Sequence, residues 1–223
     1  MTMRAAETIT CPACRHPQEF AVYSTLNATL DPALKEQFLS GELTTFTCGR
    51  CGHSAEVVYA LLYHDMVGQF MAWLVPGDGR PEPLDAAQFG PLGASLGQGY
   101  RYRLVRSRNE LTEKVLLFDD GLDDRVVEVC KVFLRHGEGP VSRDAGGTLF
   151  YEGSSAEASG GPRLRFVLTG VAEPVSVSLR PGASEDLHSR LAAVLPEGDE
   201  APGQWQEINE GYALALLESL GGG

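Results

Sequence analysis

The sequence lacks any unbroken apolar run long enough to cross a membrane, is poor in lysine, and has only five cysteines in 223 residues. Its best apolar stretch, Val57 to Val75, is interrupted by His64, Asp65 and Gln69 and falls short of the roughly 18 residues a span needs. Met1 to Thr10 carries one arginine and no apolar core, so neither a secretory leader nor the disulfide framework of a secreted chain is expected. A Gly-rich phosphate loop, a Ser/His/Asp order and a two-histidine helix motif are also missing, so no motif nominates an enzyme. Positive charge is in deficit, with 18 basic against 30 acidic residues and a formal net charge of −12. A field of that sign repels nucleic-acid phosphates and acidic membrane surfaces, so neither is an expected partner. What is left is a reduced, cytoplasmic globular protein, 43% apolar and 22% charged, long enough for one large domain or two modest ones.

Against these absences stand two Cys-x-x-Cys turns, Cys11-Pro12-Ala13-Cys14 and Cys48-Gly49-Arg50-Cys51-Gly52. Two residues between cysteines let both thiolates of a tight knuckle point at one ion. Two knuckles complete the tetrahedral sulfur shell of a closed zinc site, so Cys11, Cys14, Cys48 and Cys51 are the expected ligands of a structural Zn2+. Gly49 and Gly52 suit a tight turn whose amides point at sulfur. A thioredoxin-like redox pair would need one motif to open a helix, and neither is followed by helical periodicity. His16 and His53 each sit two residues beyond a knuckle, but four cysteines already fill the shell. Bound metal would take the net charge to about −14, because four thiolates and one divalent ion replace neutral thiols.

The stretch between the knuckles, 15–47, is long for a zinc ribbon and reads as a β-rich segment from Glu19 to Leu30. A short helix follows, opened by Asp31-Pro32 and closed by Gly41. Thr44 to Thr47 and Ala55 to Leu62 read as the strands entering and leaving the second knuckle. Residues 76–99, dense in glycine and proline, form a long loop, either a lid or a disordered insertion. Tyr100 to Arg106 alternates as a strand, and Ser107-x-x-Glu110 fits a capping box for a helix carrying Leu111, Val115 and Phe118 inward. Asp120-Gly121 breaks it. A second helix from Asp123 to Arg135 turns Val126, Val129, Cys130 and Phe133 inward.

Beyond a Gly-rich junction at 137–147 the chain changes character. Leu149 to Tyr151, Leu164 to Leu168 and Val175 to Leu179 read as three short strands, the last two alternating like half-buried antiparallel strands. A flexible loop is expected from Gly153 to Pro162. Ser184 is placed as the cap of a helix with Leu187, Leu191, Val194 and Leu195, ended by Pro196. Ile208, Tyr212, Leu216 and Leu220 mark a last helix, with Gly221 to Gly223 frayed. From residue 141 onward there are 5 basic and 12 acidic residues, net −7 of the −12.

Three further clusters could carry chemistry. Tyr63-His64-Asp65 pairs an imidazole with a carboxylate, yet neighbours on a strand point to opposite faces, which favours a structural turn. Asp119, Asp120, Asp123 and Asp124 lack EF-hand spacing and read as helix capping. Arg101, Arg103, Arg106 and Arg108 read as the solvated face of a strand and its turn, paired with the protein's own carboxylates. Cys130 reads as a core thiol.

The motifs Cys11-Pro12-x-Cys14, Asp31-Pro32-x-Leu34-Lys35, Leu43 to Gly52, Leu62-Tyr63-His64-Asp65, Asn109-Glu110-Leu111-x-Glu113-Lys114 and Asp119 to Lys131 together resemble the CpXC family of bacteria and archaea. The resemblance covers roughly 8–135. Gly49 replaces a frequent proline and Arg15 a frequent glycine, without loss of a ligand. It implies the metal site and the domain extent, and no reaction. The expected architecture is α+β: a zinc-ribbon-like domain over 8–135 with strand and helix insertions, then a three-strand, two-helix α+β domain over 148–220. The expected role is that of a protein-binding adaptor or regulatory module. One alternative is an acid/base or metal-dependent enzyme with a pocket near His64 and Asp65. The other, RNA or ribosome association, would need the arginines to form a contiguous basic face.

Overall fold

Each cysteine pair lies in the turn of a β-hairpin. Strand β1 (Met3–Thr10) returns as β2 (Pro17–Asn27) with Thr10 opposite Pro17, and β3 (Thr45–Thr47) returns as β4 (Ser54–Glu56) with Thr47 opposite Ser54. Both turns therefore span six residues, 11–16 and 48–53. The computed structural model describes residues 1–79, 99–136, 141, 146–156, 161–195 and 204–221. Residues 80–98 of the expected long loop lie outside them, as do most of the junction 137–147, positions 157–160, Pro196 and the last two glycines.

The insertion between the knuckles is the expected strand and helix. Helix α1 (Pro32–Ser40) starts after Asp31 with proline at its first position. It ends on Gly41 at φ 87, whose N–H bonds the Phe38 carbonyl. Asp31 makes no side-chain cap; its carboxylate takes a hydrogen bond from Thr2 Oγ1 instead.

The segment read as one strand from Ala55 to Leu62 is two. Strand β4 stops at Glu56, residues 57–60 run without regular structure, and β5 (Leu61–Asp65) begins a separate sheet. The same apolar run also holds β6 (Phe70–Leu74), a strand not expected from the sequence. Continuous apolar character hid the turn, which Asp65 makes by accepting N–H bonds from Val67 (2.9 Å) and Gly68 (2.8 Å). With β7 (Arg101–Val105) these strands form a five-stranded mixed sheet ordered β1-β2-β5-β6-β7, in which β2–β5 and β6–β7 are parallel. Leu61, Tyr63 and Phe70 are buried on one face, where Phe38 of α1 packs against Tyr63 at 6.3 Å. The other face carries Met71 and Tyr102, covered by Tyr100 and Trp205.

The chain divides into two compact units, Met1–Thr112 with Ala201–Trp205, and Glu113–Glu200 with Gln206–Gly223. Helix α2 (Arg108–Asp119) contains the boundary. It ends at Gly121 (φ 68), and α3 (Asp124–His136) follows, with the Asp123 carboxylate bonding the Arg125 N–H at 2.9 Å as a cap. Val126, Val129 and Cys130 are buried as expected, whereas Phe133 is 52% exposed. Three antiparallel strands, β8 (Thr148–Ser155), β9 (Arg163–Thr169) and β10 (Val175–Ser178), are ordered β10-β9-β8. Strand β8 runs through Gly153 into the stretch expected to be a loop, with a register shift between Tyr151 and Gly153. Helices α4 (Ala183–Leu191) and α5 (Glu210–Gly221) pack Leu187, Leu191, Ala213 and Leu216 against α3. Gly182, not Ser184, caps α4; Ser184 is buried and donates to the Glu185 carboxylate. Helix α3, read from sequence as part of the N-terminal region, thus contributes to the second unit's core.

That core also holds a run of alternating charges. The Asp124 carboxylate meets Lys114 at 3.0 Å, and Glu128 Oε1 lies 3.5 Å from Lys114 and 2.9 Å from Lys131. Lys131 then reaches Glu113 at 3.0 Å, and Glu113 also accepts the Tyr151 N–H at 2.6 Å. All five residues are at most 8% exposed. The acids 119–124 are therefore divided in role: Asp123 caps, Asp124 is an ion-pair partner, and Asp120 accepts from the Tyr151 hydroxyl.

Candidate metal centre

The two knuckles fold to one hydrogen-bond pattern. Cys11 N–H donates to the His16 carbonyl (2.9 Å) and Arg15 N–H to the Cys11 carbonyl (2.9 Å). Cys48 N–H likewise donates to His53 (2.8 Å), and Gly52 N–H to Cys48 (2.9 Å). The fifth position of each turn must be left-handed, and it is: Arg15 has φ 58 and Gly52 φ 72. Gly52 takes that conformation freely, while Arg15 takes it against the usual side-chain penalty. Gly49 does not need a positive φ; its N–H goes to Gln18 Oε1 at 2.7 Å rather than to a sulfur.

The hairpins bring all four sulfurs together. The ligand atoms of Cys11, Cys14, Cys48 and Cys51 lie within 4.8 Å of one another and could hold a metal ion. The contacts between the knuckles are Cys11 Sγ to Cys51 Sγ at 3.7 Å and Cys14 Sγ to Cys48 Sγ at 3.6 Å. A tetrahedron with metal–sulfur bonds of about 2.3 Å has edges of about 3.8 Å, so these spacings fit a tetrathiolate site. All four cysteines are free thiols. Cys11 and Cys48 are buried and Cys51 is exposed, so the site has an inner and an outer side.

Electrostatics distinguish the same sulfurs. The Cys51 N–H bonds the Cys48 sulfur and, with the Arg50 N–H and the Cys14 and Cys11 thiols, outweighs burial to lower Cys48 to about 6. For Cys51 an N–H of His53 works downward, but the Cys14 thiol, burial and the Cys11 and Cys48 thiols together push it up to about 12. Between Cys48 and Cys51, negative charge is therefore favoured at Cys48. His16 and His53 enter the knuckles through their backbone carbonyls.

Two supports were not legible in the sequence. Gln18, the second residue of β2, bonds the Gly49 N–H and donates to the Thr47 carbonyl at 3.1 Å, tying the first hairpin to the second knuckle. Phe46 and Phe20 meet edge to face at 6.2 Å and, with Ile9 and Val57, form a small apolar core against the cysteines. A glutamine at a strand start has no spacing signature, and the aromatics read only as strand formers.

The remaining candidates do not converge. His64 Nε2 pairs with the Tyr100 hydroxyl at 3.1 Å, and burial lowers its pKa. Asp65 lies on the opposite face of β5, where it is the hub of the turn and accepts from Thr29 Oγ1 at 3.2 Å. The arginines are not the solvated strip expected. Arg103 is 1% exposed, Arg106 donates to the Gly77 carbonyl at 3.1 Å, and Arg108 Nη2 donates to the Phe38 and Leu39 carbonyls at 3.0 Å each. Burial pushes the Cys130 thiol up to about 12, in keeping with an inert core position outside the cluster.

Among the described residues, no helix is long and apolar enough to cross a membrane. No curated protein and no solved structure matches the chain. Known families give one result: residues 9–131 match the family described as CpXC protein, an interval that begins before the first knuckle and ends inside α3. That interval covers more than half of the sequence and contains all four clustered cysteines, and on this match the chain belongs to the CpXC family.

Proposed function

We propose that the protein is a zinc-stabilised, cytoplasmic protein-binding module, an adaptor or regulatory partner of another protein. Cys11, Cys14, Cys48 and Cys51 would hold the zinc. Bound there, the ion supplies cross-linking free energy, about 10–16 kcal/mol in small zinc peptides, and with four thiolates it leaves no open coordination position.

The observation that carries the binding role is a group of exposed apolar side chains on tied turns. Leu30 is 62% exposed, Met66 45% and Val67 82%. They are held together because Thr29 Oγ1 accepts the Met66 N–H at 2.8 Å and the Val67 N–H at 3.3 Å, while Leu30 N–H is fixed by Asn27 Oδ1 at 3.0 Å. Apolar groups kept exposed on a rigid frame cost little ordering entropy on association. Surplus negative charge favours a partner with a basic rim around an apolar anchor.

Elemental analysis of purified protein tests the metal: about one zinc per chain is expected, retained in Cys130→Ser and lost in Cys48→Ser. Iron in its place, which a tetrahedral sulfur site also accepts, would overturn the zinc assignment. For the binding role, a photo-crosslinker at position 67 should trap one defined protein in cells, and Leu30→Asp should abolish that adduct without changing zinc content. An adduct pattern unaffected by Leu30→Asp would count against this surface.

A further inference from the structure

Strand β1 is the outermost strand of the five-stranded sheet, paired only with β2 among the described residues, and all of its residues but Ile9 are exposed. Its eight residues, Met3–Thr10, include no proline and no lysine, and its ladder with β2 is regular from Arg4 to Thr10, the one register shift lying between Met3 and Arg4. A long regular edge without such guards is a template for a further strand. The remaining edge strands are guarded or short. Strand β7 is buried from Tyr102 to Val105, and β8, equal in length to β1, gives its Tyr151 N–H to the Glu113 carboxylate at 2.6 Å. Strands β3, β4 and β10 have three or four residues each.

The first knuckle fixes which residues of β1 face outward. The Cys11 N–H points across the hairpin to the His16 carbonyl, and successive residues of a strand turn their amides to opposite edges. Ile9, Glu7 and Ala5 therefore bond β2, while Thr10, Thr8, Ala6 and Arg4 turn N–H and carbonyl to the free edge. Pro17, opposite Thr10, has no N–H to give, and this alternation asks none of it.

We propose that β1 pairs edge to edge, antiparallel, with β1 of a second copy of this chain about a two-fold axis at Ala6. Sheet edges that bind a foreign peptide select it through pockets for its alternate side chains. Exposed on both faces, β1 offers no such pockets, so its partner is selected by main-chain register and by the side chains of β1 itself. A two-fold axis sets the register once its central residue is chosen. Centring on Arg4 or Glu7 puts like charges directly opposite, and centring on Ala5 or Ile9 shortens the ladder within the regular stretch. Thr8 at the centre would set the Glu7 carboxylate against Ile9. With Ala6 at the centre, Ala6 meets its counterpart, Arg4 meets Thr8 and Ala5 meets Glu7, and the outward amides of Arg4, Ala6 and Thr8 all find carbonyls. The opposed stretch from Arg4 to Thr8 is about 17 Å long. That is well short of a standard interface, so the dimer is weak, with a Kd of about 0.1 mM. Each copy carries −12, and the two Glu7 side chains are diagonal neighbours across the seam, so added salt strengthens it. The seam shares no residue with the exposed turns at Leu30, Met66 and Val67, so it stands or falls separately from the protein-binding reading.

Sedimentation equilibrium of the full metal-replete chain, from about 10 μM to about 1 mM, tests the pairing. A monomer–dimer equilibrium is expected, tighter at high than at low salt. Ala6→Pro removes an outward N–H without touching a bond to β2, and Ala6→Lys sets two ammonium groups face to face. Each should weaken the dimer at least about tenfold with metal content unchanged. Leu30→Asp, on the exposed turns, should leave the dimer as it is. In a mixed-isotope NMR sample the α-protons of Ala5 and Glu7, opposed in a non-hydrogen-bonded pair, should show an intermolecular NOE. A chain that stays monomeric at about 1 mM would overturn the proposal. So would a dimer lost in Leu30→Asp but kept in both Ala6 variants, or an intermolecular NOE joining Glu7 to Ile9 in place of Ala5.

Discussion

Arg15 and Gly52 occupy the same position in two turns with the same hydrogen bonds, yet only one of them is suited to it. A left-handed residue with a side chain costs about 1–2 kcal/mol, and glycine gives back part of that through its freer unfolded chain. Arg15→Gly should therefore raise the stability of the zinc-loaded first unit by about 0.5–1 kcal/mol, read from denaturant midpoints at unchanged slope. Gln18 invites a different test. It is not one of the four clustered cysteines, but it fixes the Gly49 amide and the Thr47 carbonyl on either side of Cys48. Groups that orient ligands typically contribute 10–100-fold in affinity, so Gln18→Ala should weaken zinc binding by about that factor in competition with a chromophoric chelator. An unchanged affinity would mean that the Phe20–Phe46 packing alone sets the knuckle. The pairing of the four cysteines into one cluster was readable because two-residue spacing is a local constraint. Gln18 was not, because its role depends on a hairpin 30 residues away.

At the level of elements, the helices were legible from their ends. Pro32 and Gly41 bound α1, Ser107 with Glu110 opens α2, and Gly121 closes it. The strands were less so: β5 and β6 lie in one apolar run, and their turn is made by Asp65, a residue that also reads as half of an acid/base pair. Helix α3 shows the same limit, since its apolar stripe predicts one buried face and the structure buries a second, charged one. Removing one partner of such a buried pair leaves an unpaired ion, which costs about 3–5 kcal/mol. Lys131→Met should destabilise the second unit by that amount near neutral pH. Burial pulls Lys131 downward, but Glu113 and Glu128 outweigh it and raise its pKa above the ordinary lysine value. A raised lysine contributes stability that is complete below its unfolded value near 10.4 and is lost as pH rises through the folded value. The wild-type advantage over Lys131→Met should thus be flat from neutral pH to about 10 and shrink above it, as followed by chemical denaturation at a series of pH values.

Across the whole molecule, the two units should draw on different sources of stability. In the first, β1 is exposed along nearly its whole length and β3 and β4 are three residues each, so the hairpins around the cysteine cluster bury little apolar surface of their own. In the second, Val126, Val129, Leu191 and Ala213 form an apolar core with no cysteine of the cluster. Hydrogen exchange of the intact chain, with and without a strong zinc chelator, tests this most directly. Chelation should remove protection from residues 9–20 and 44–57 while amides of α3 and of strands β8 to β10 keep theirs. Uniform loss across both units would contradict separate stabilisation, and unchanged protection around Cys11 and Cys48 would show that the four cysteines do not hold the fold together through a metal.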